Sequence, residues 1–509
     1  MANRQDEGPI RPQHPQGSSR LRLVFSFPAL LAGVLAFTVF VFSRLNLPDP
    51  DTWWHIAVGE DILATGVWPT TDAYSFTAQG HEWRAYEWLG EVLMALVARG
   101  GPQALTALLI GLCVTLFLLL YYWVRLRGCN PKAGFLACFV LIPLAGSVFT
   151  LRPQLVGYIF LVLTFICLEH FRQGRRKALW VLPALFVVWG NTHGNFSFGL
   201  FVLGVCWLGG LIEFSSASLK AARWTPAQRR DLFVVILLCV LATILGPYGA
   251  RTTFLPLEIA FSQPVNVASI QEWQPLPFDL LFGKLFLAVL LAFCLLQLLF
   301  PRVYRVEEIG LLLFAIYSAC THRRFLVFFV LVFTPLLAAH LERWTKPRGA
   351  TQDRPLLNAV LMAALAGALV AFFPSNAKLD EVTAKRFPVH AIQYFRTHDV
   401  SKTLLNWYGW GGYMIWSLRH ERKVFIDGRA DLYEYPGVLS DYLAVEGLKP
   451  DAQALLNHYR VEACLFPRES PLATFLGSQP NWKLVYSDDL SAIYMLQNRQ
   501  DQPPAQAER

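Results

Sequence analysis

Long apolar runs separated by short polar segments dominate the chain. They fall near 21 to 43, 103 to 124, 133 to 150, 154 to 171, 178 to 190, 197 to 213, 232 to 247, 280 to 300, 308 to 320, 323 to 340 and 356 to 374. A helix crosses a bilayer in about 20 apolar residues, so the pattern predicts an α-helical polytopic membrane protein with about 11 transmembrane helices, two of them short. The polar connection from 46 to 101 is the longest between runs. Within it Trp54, Val58, Asp61, Ile62 and Thr65 follow helical spacing, and so do Trp88, Leu89, Val92, Leu93 and Leu96. Two helices along the membrane surface are expected there, joined by the turn-rich segment Trp68 to Asp72. Beyond the last run the period changes. A helical stretch, His390 to His398, is followed by short β-rich segments at Thr403 to Leu405, Lys423 to Ile426, Glu462 to Phe466, Lys483 to Tyr486 and Ala492 to Leu496. That mixture predicts an α/β domain over 375–497. The polar ends, 1–20 and 498–509, are rich in Pro, Gln, Arg and Asp and are expected to be disordered.

Composition supports the membrane reading: 54% of the 509 residues are hydrophobic and only 16% charged, with a mean hydropathy of +0.39. The net charge of +8 is not a nucleic-acid signal, because the basic residues sit in clusters between apolar runs. Arg4, Arg11, Arg20 and Arg22, then Arg125, Arg127 and Lys132, then Arg172, Arg175, Arg176 and Lys177 occupy alternate connections. The positive-inside rule then makes the N-terminus cytoplasmic and puts 375–497 outside, as for a protein of a bacterial inner membrane. The first run is too long for a cleavable signal peptide and lacks a small-residue cleavage site. Eight of nine cysteines lie in or beside spans, which argues against structural disulfides, and their spacing fits no metal motif.

Candidate chemistry collects on the predicted outer side. Asp49-Pro50-Asp51-Thr52-Trp53-Trp54-His55 follows the first span and sets two carboxylates and an imidazole at the water interface. On that side also lie Arg152-Pro153-Gln154, the polar interruption Asn191-Thr192-His193, the loop end Gln271-Glu272-Trp273 and His322-Arg323-Arg324. Taken singly, each serves equally well as a helix cap or a snorkelling anchor. Ionisable groups at membrane depth are costly and mark function.

Four segments carry a resemblance. Asp51-Thr52-Trp53-Trp54-His55, with Glu60 and Asp72 downstream, resembles the first external loop of the oligosaccharyltransferase catalytic subunit, in the GT-C superfamily of membrane glycosyltransferases. Ile270 to Pro275 resembles that family's external Glu motif. Asn406 to Tyr413 resembles its WWDYG region, with Gly409 at the acidic position, and Lys423 to Arg429 matches the strand and Asp-Gly turn that follow. Arg152 and Gln154 stand where that family carries an Asp-x-Asp metal motif, and Gly409 removes the acid of the pocket that reads an Asn sequon. More generally the chain resembles uncharacterised bacterial membrane proteins that carry the same external motifs.

The resemblance implies a GT-C-like fold and transfer of a sugar from a polyprenyl-phosphate-linked donor to a glycan, lipid or protein acceptor at the outer face. Asp51 would serve as base or acceptor-orienting group and Glu272 as a second carboxylate. Arg323, Arg324 and Arg152 would hold the departing phosphate, with His55, Asp72, Gln154, Asn191, His193 and Trp273 around the pocket. Asp51 and Glu272 could also supply oxygen ligands to Mg or Mn. The competing expectation is a non-enzymatic transporter or assembly factor for surface polysaccharide. Transporters place ionisable groups midway through spans, whereas these charges gather at span ends, and no internal repeat is evident.

Overall fold

The computed structural model describes residues 24–146, 149–346 and 353–497. The two ends expected to be disordered lie outside the described residues, as do Arg4, Arg11, Arg20 and Arg22. The apolar runs fold as helices: α1 (Phe27–Ser43), then α2 (Pro50–Thr65) and α3 (Trp88–Ala98) in the long connection, then α4 (Gly101–Leu126), α5 (Pro131–Ala145), α6 (Pro153–Arg172), α7 (Leu182–Gly190), α8 (Phe196–Gly209) and α9 (Pro226–Ala242). There follow α10 (Ala250–Ser262), α11 (Pro264–Ser269), α12 (Leu281–Leu299), α13 (Val306–Thr321), α14 (Leu326–Leu341) and α15 (Pro355–Ala371). Proline opens α2, α5, α6, α9 and α15. At that position its missing N–H has no intrahelical partner to lose and its fixed φ suits the first turn.

Four of the described helices are long and apolar enough to cross a bilayer: α4, α6, α12 and the segment Arg323–Leu341 that contains α14. A fifth is formed if α15 and α16 (Asn376–Ala384), bent by 59°, count as one broken span. The protein is an integral membrane protein on this evidence. Every residue of α14 from Leu326 to Ala338 is buried, whereas α12 leaves Leu281 82% and Leu298 80% exposed. Such apolar exposure suits a lipid-facing surface and would be a liability in water. A small sheet that periodicity did not reveal joins β1 (Phe214–Ser215), β2 (Leu219–Ala221) and β3 (Tyr304–Arg305) at one end of the bundle.

After α16 the chain forms α17 (Val389–Thr397), β4 (Leu404–Asn406), α18 (Gly411–Leu418), α19 (Ala430–Glu434), α20 (Val438–Glu446), α21 (Ala452–His458), β5 (Ala463–Pro467), α22 (Pro471–Ser478), β6 (Trp482–Ser487) and β7 (Ser491–Leu496). The sheet runs β4-β5-β7-β6, with β4 and β5 parallel and the other pairs antiparallel. Four of the five expected strands are present. The fifth, Lys423 to Ile426, is no ladder strand, because the chain of the first connection takes its hydrogen bonds. Val424 donates to the Tyr74 carbonyl and accepts from Phe76, both at 3.0 Å. Phe425 donates to the buried Asn406 side chain at 2.8 Å.

This exchange binds the first connection to the C-terminal sheet. Helix α2 is not an exposed surface helix: residues from Thr52 to Gly59 are all buried, since α3 packs on one side and α18 on another. Two glycines permit the approach. A Cβ at Gly412 would run into the Pro50 carbonyl, and one at Gly428 into the Asp51 carboxylate and the Trp54 ring nitrogen.

Candidate functional site

Arg152 is the hub of the site. It precedes the first turn of α6 with extended backbone, so its side chain leaves the helix axis and reaches back to α2. Its Nε and Nη2 donate to the two oxygens of Asp49 at 2.6 and 2.9 Å. Its Nη1 meets Asp51 Oδ2 at 2.8 Å and Glu272 Oε1 at 2.6 Å. Asp49 is itself fixed as the N-cap of α2, accepting from the Asp51 backbone N–H at 3.0 Å. One guanidinium therefore gathers three carboxylates that are remote in sequence. Burial, offset in part by Arg152 and reinforced by Asp49 and Glu272, pushes the Asp51 carboxyl up to about 7. Glu272 is pushed up by burial too, but Arg152 and Arg324 outweigh that and hold it below its ordinary value.

Asp51, Arg152 and Glu272 line a cavity of about 490 Å³ between α2, α3, the loop before α12 and the C-terminal segment. Trp54 Nε1 donates to Asp51 Oδ1 at 3.2 Å, so each Asp51 oxygen carries one donor. Arg324 lies with its guanidinium 4.1 Å from the Trp273 ring centroid and lines the cavity. No carboxylate among the described residues forms an ion pair with it. Gln154 and His193 line the same space.

A second polar group sits on α3. Glu87, immediately before its first turn, has Oε1 3.4 Å from His193 Nε2 and Oε2 3.6 Å from His55 Nε2. Glu91, one turn on, meets His55 Nδ1 at 3.1 Å. Burial and the neighbouring Asp51 charge push Glu87 up to about 8. Burial raises Glu91 well above the usual range and lowers His55 well below it, and it lowers His193 to about 3. Both imidazoles are therefore neutral at pH 7.

The far wall is the Asp-Gly turn before α19. Arg429 is 2% exposed and grips Asp427 through Nε and Nη2 at 2.8 and 2.7 Å, while its Nη1 bonds Asp72 at 2.8 Å. Tyr433 adds a hydroxyl bond to Asp427 at 2.5 Å, and the guanidinium lies 4.6 Å from the Trp83 ring centroid. This closed ion pair fastens the first connection to the C-terminal segment. Next to it Tyr408 presents its ring to the cavity, its hydroxyl bonded to the Gly428 carbonyl at 3.3 Å.

The structure thus brings together Asp51, His55, Arg152, Gln154, His193, Glu272, Trp273 and Arg324 of the expected residues. Three lie elsewhere. Asp72 sits behind the wall in the Arg429 pair. Asn191 is structural, accepting from Trp88 Nε1 at 2.8 Å and donating to the Val187 and Leu245 carbonyls. Arg323 does not line the cavity, and its guanidinium is 5.9 Å from the Phe282 ring centroid. Glu87 and Glu91 were not singled out in the sequence, whereas Asp49 and Arg429 fall in segments that were, Asp49 to His55 and Lys423 to Arg429. Glu91 had a visible signal, an acid inside the apolar run Trp88 to Val97.

The carboxylates do not form a cation cage. Among the described residues no three His, Cys, Asp or Glu side chains are grouped to hold a metal ion. Asp51 and Glu272 are bridged instead by the Arg152 guanidinium, whereas hard cations need several oxygens of their own.

No family model matches the chain, and no curated protein matches it. Solved structures do match, and they define a class of fold: that of the GT-C membrane glycosyltransferases, as the motif resemblance implied. The Archaeoglobus fulgidus oligosaccharyltransferase tethered with an acceptor peptide containing the NVT sequon superposes with a TM-score of 0.53 at 12% identity, over 96% of this chain and 75% of that one. The archaeal oligosaccharyltransferase AglB from the same organism, in complex with an inhibitory peptide and a dolichol-phosphate, gives 0.53 at 12% identity over 94% and 75%. ArnT from Cupriavidus metallidurans in the apo state gives 0.51 at 14% identity over 94% and 98%. At such identities the likeness is one of fold.

Proposed function

We propose that this protein is a glycosyltransferase that moves a sugar from a polyprenyl-phosphate-linked donor to an acceptor at the extracytoplasmic face of a bacterial inner membrane. In this reading the eleven apolar runs are crossings, the N-terminus is cytoplasmic, and 375–497 forms the external α/β domain. The observation that carries the reading is the meeting of Asp51 and Glu272 on Arg152 in a cavity that also holds the unpaired Arg324. Asp51, with one donor on each oxygen, orients the acceptor by its remaining lone pairs. Arg324, stacked on Trp273, holds the leaving phosphate, a role for which a planar fork of N–H donors is suited. Arg152 is engaged by three carboxylates and serves to fix Asp51 and Glu272 rather than to bind phosphate. Its fixed positive charge stands where a divalent ion would otherwise balance those acids. A dolichol-phosphate in one structural neighbour is in keeping with a lipid-phosphate donor.

The test is release or transfer of radiolabelled sugar from a panel of polyprenyl-phosphate donors, with candidate acceptors, by protein in nanodiscs, with and without EDTA. Turnover by the wild type that is lost in Asp51→Asn is the expected result. No turnover across the panel would favour the transport or assembly reading.

A further inference from the structure

Resting on that reading, we propose that Glu87 is the general base of the transfer, and that His55, His193 and Glu91 are positioning residues that orient its carboxyl group. The argument starts from tautomers. His193 Nδ1 accepts the Asn195 backbone N–H at 2.9 Å, so its single ring proton resides on Nε2, which faces Glu87 Oε1. Glu91 fixes His55 in the same way. Its Oε2 is buried and has no hydrogen-bond partner among the described residues. An ionised carboxylate with an orphaned oxygen at such a place costs several kcal/mol, on the order of the penalty for an unpaired buried charge, so Glu91 keeps its proton. That proton sits on Oε1 and is donated to His55 Nδ1 at 3.1 Å, which leaves the ring proton on Nε2, facing Glu87 Oε2. Two imidazole N–H groups thus face the two oxygens of one carboxyl group, at 3.4 and 3.6 Å.

Glu87 suits the task better than Asp51. Both Asp51 oxygens are already engaged, Oδ2 by Arg152 and Oδ1 by Trp54, which commits Asp51 to orienting the acceptor. Glu87 has only neutral imidazoles against its oxygens. Burial first, then Asp51 and Asp431, raise its affinity for a proton, opposed by Arg324 and Arg152. Arg429, beyond Glu91, is occupied by Asp427 and Asp72. Glu87 is then poised close to neutral pH, where a general base is most effective.

The step balances. The acceptor X–H bond breaks and its proton passes to Glu87. X bonds to the sugar anomeric carbon as the carbon–oxygen bond to phosphate breaks, and the polyprenyl phosphate leaves with the bonding pair beside Arg324. Glu87 returns its proton to water once the product has left.

The experiment uses the full chain in nanodiscs and the donor of the panel that the wild type turns over. Glu87→Gln is expected to lower transfer by about 100-fold, the lower end of general-base effects, with retention of the donor by the nanodiscs unchanged. Infrared difference titration of the same samples, without donor, is expected to show two protonated-carboxyl bands in the wild type that titrate near neutral pH, one missing in Asp51→Asn and the other in Glu87→Gln. Glu91→Leu is expected to move the acidic limb of the kcat profile to higher pH, because His55 loses its fixed tautomer, and Glu91→Gln, which keeps an N–H donor, moves it back. Wild-type transfer rates in Glu87→Gln, or no band lost, would overturn the base role while leaving the transferase reading intact. Failure of the wild type to use any donor would remove both together.

Discussion

Helix α6 begins beside Arg152 and ends with Arg172, about 30 Å apart at 1.5 Å per residue, and each arginine meets more than one carboxylate. At the Arg172 end the charges balance. Arg172 pairs with Glu307 at 3.0 Å and lies 3.9 Å from Glu169, which also meets Arg305, and Arg127 pairs with Glu308. Three arginines face three glutamates on α4, α6, α13 and the strand before α13. At the Arg152 end a single guanidinium faces Asp49, Asp51 and Glu272 beside an open cavity. A balanced, closed network can only hold helices together. The unbalanced one leaves Asp51 short of counter-charge, and burial then lifts it to about 7, while Arg324 adds to Arg152 in holding Glu272 low. Surplus charge in a cavity, rather than the presence of ion pairs, separates the candidate site from the scaffold.

The sharpest break in this comparison is Asp51→Asn, which keeps the shape and removes the charge. Loss of transfer by about 1,000-fold is expected, within what orienting a reactant contributes, with unchanged elution on size exclusion. Arg324→Gln removes the unpaired cation and should weaken donor retention by about 10- to 100-fold, the value of a charge-assisted hydrogen bond. Arg323→Gln, whose side chain does not line the cavity, should leave retention as it was. Unchanged retention in both variants would mean that the two arginines serve only as helix-end anchors, and equal losses would mean that Arg323 reaches the donor as well.

Arg172→Gln probes the balanced end. It leaves Glu307 buried without its partner and should cost about 3 kcal/mol of stability, seen as a lower melting temperature in detergent with donor retention unaltered. A change in retention would dissolve the contrast between the two ends of α6. Gly428→Ala forces a methyl group against Asp51 and Trp54. A fall in kcat of about 10-fold is expected from the misplaced carboxylate, in line with the sensitivity of reacting geometry to small shifts.

The smallest effect is on stability against pH. Asp51 binds its proton more tightly folded than unfolded, so its contribution is complete below its ordinary value of 3.8 and is lost as pH rises through about 7. Thermal scans should therefore show stability falling across that window, and Asp51→Asn should flatten the slope.

Much of the fold was legible because it is local. The helices follow from apolar runs, from proline at their first turns, and from the period change beyond Pro374. The strand expected at Lys423 to Ile426 was misjudged for a non-local reason: its extended backbone is real, but Tyr74, Phe76 and Asn406 satisfy it from remote positions. The same divide runs through the site. Asp51, Glu272 and Arg324 stood out as charges at the ends of apolar runs, while Glu87 and Glu91 fall at the start of a helix expected to lie along the membrane surface, where acids are ordinary.

The sequence by itself determined a polytopic helical membrane protein with an α/β C-terminal segment and a set of charges at span ends. Hydropathy and turn chemistry act between near neighbours, and one chain suffices to read them. Only the tertiary structure decided that Arg152 joins Asp49, Asp51 and Glu272, that Arg429 closes on Asp72, and that Arg324 faces the cavity while Arg323 does not. Those pairings depend on how helices rotate and cross, which side-chain packing settles over distances that no sequence spacing encodes.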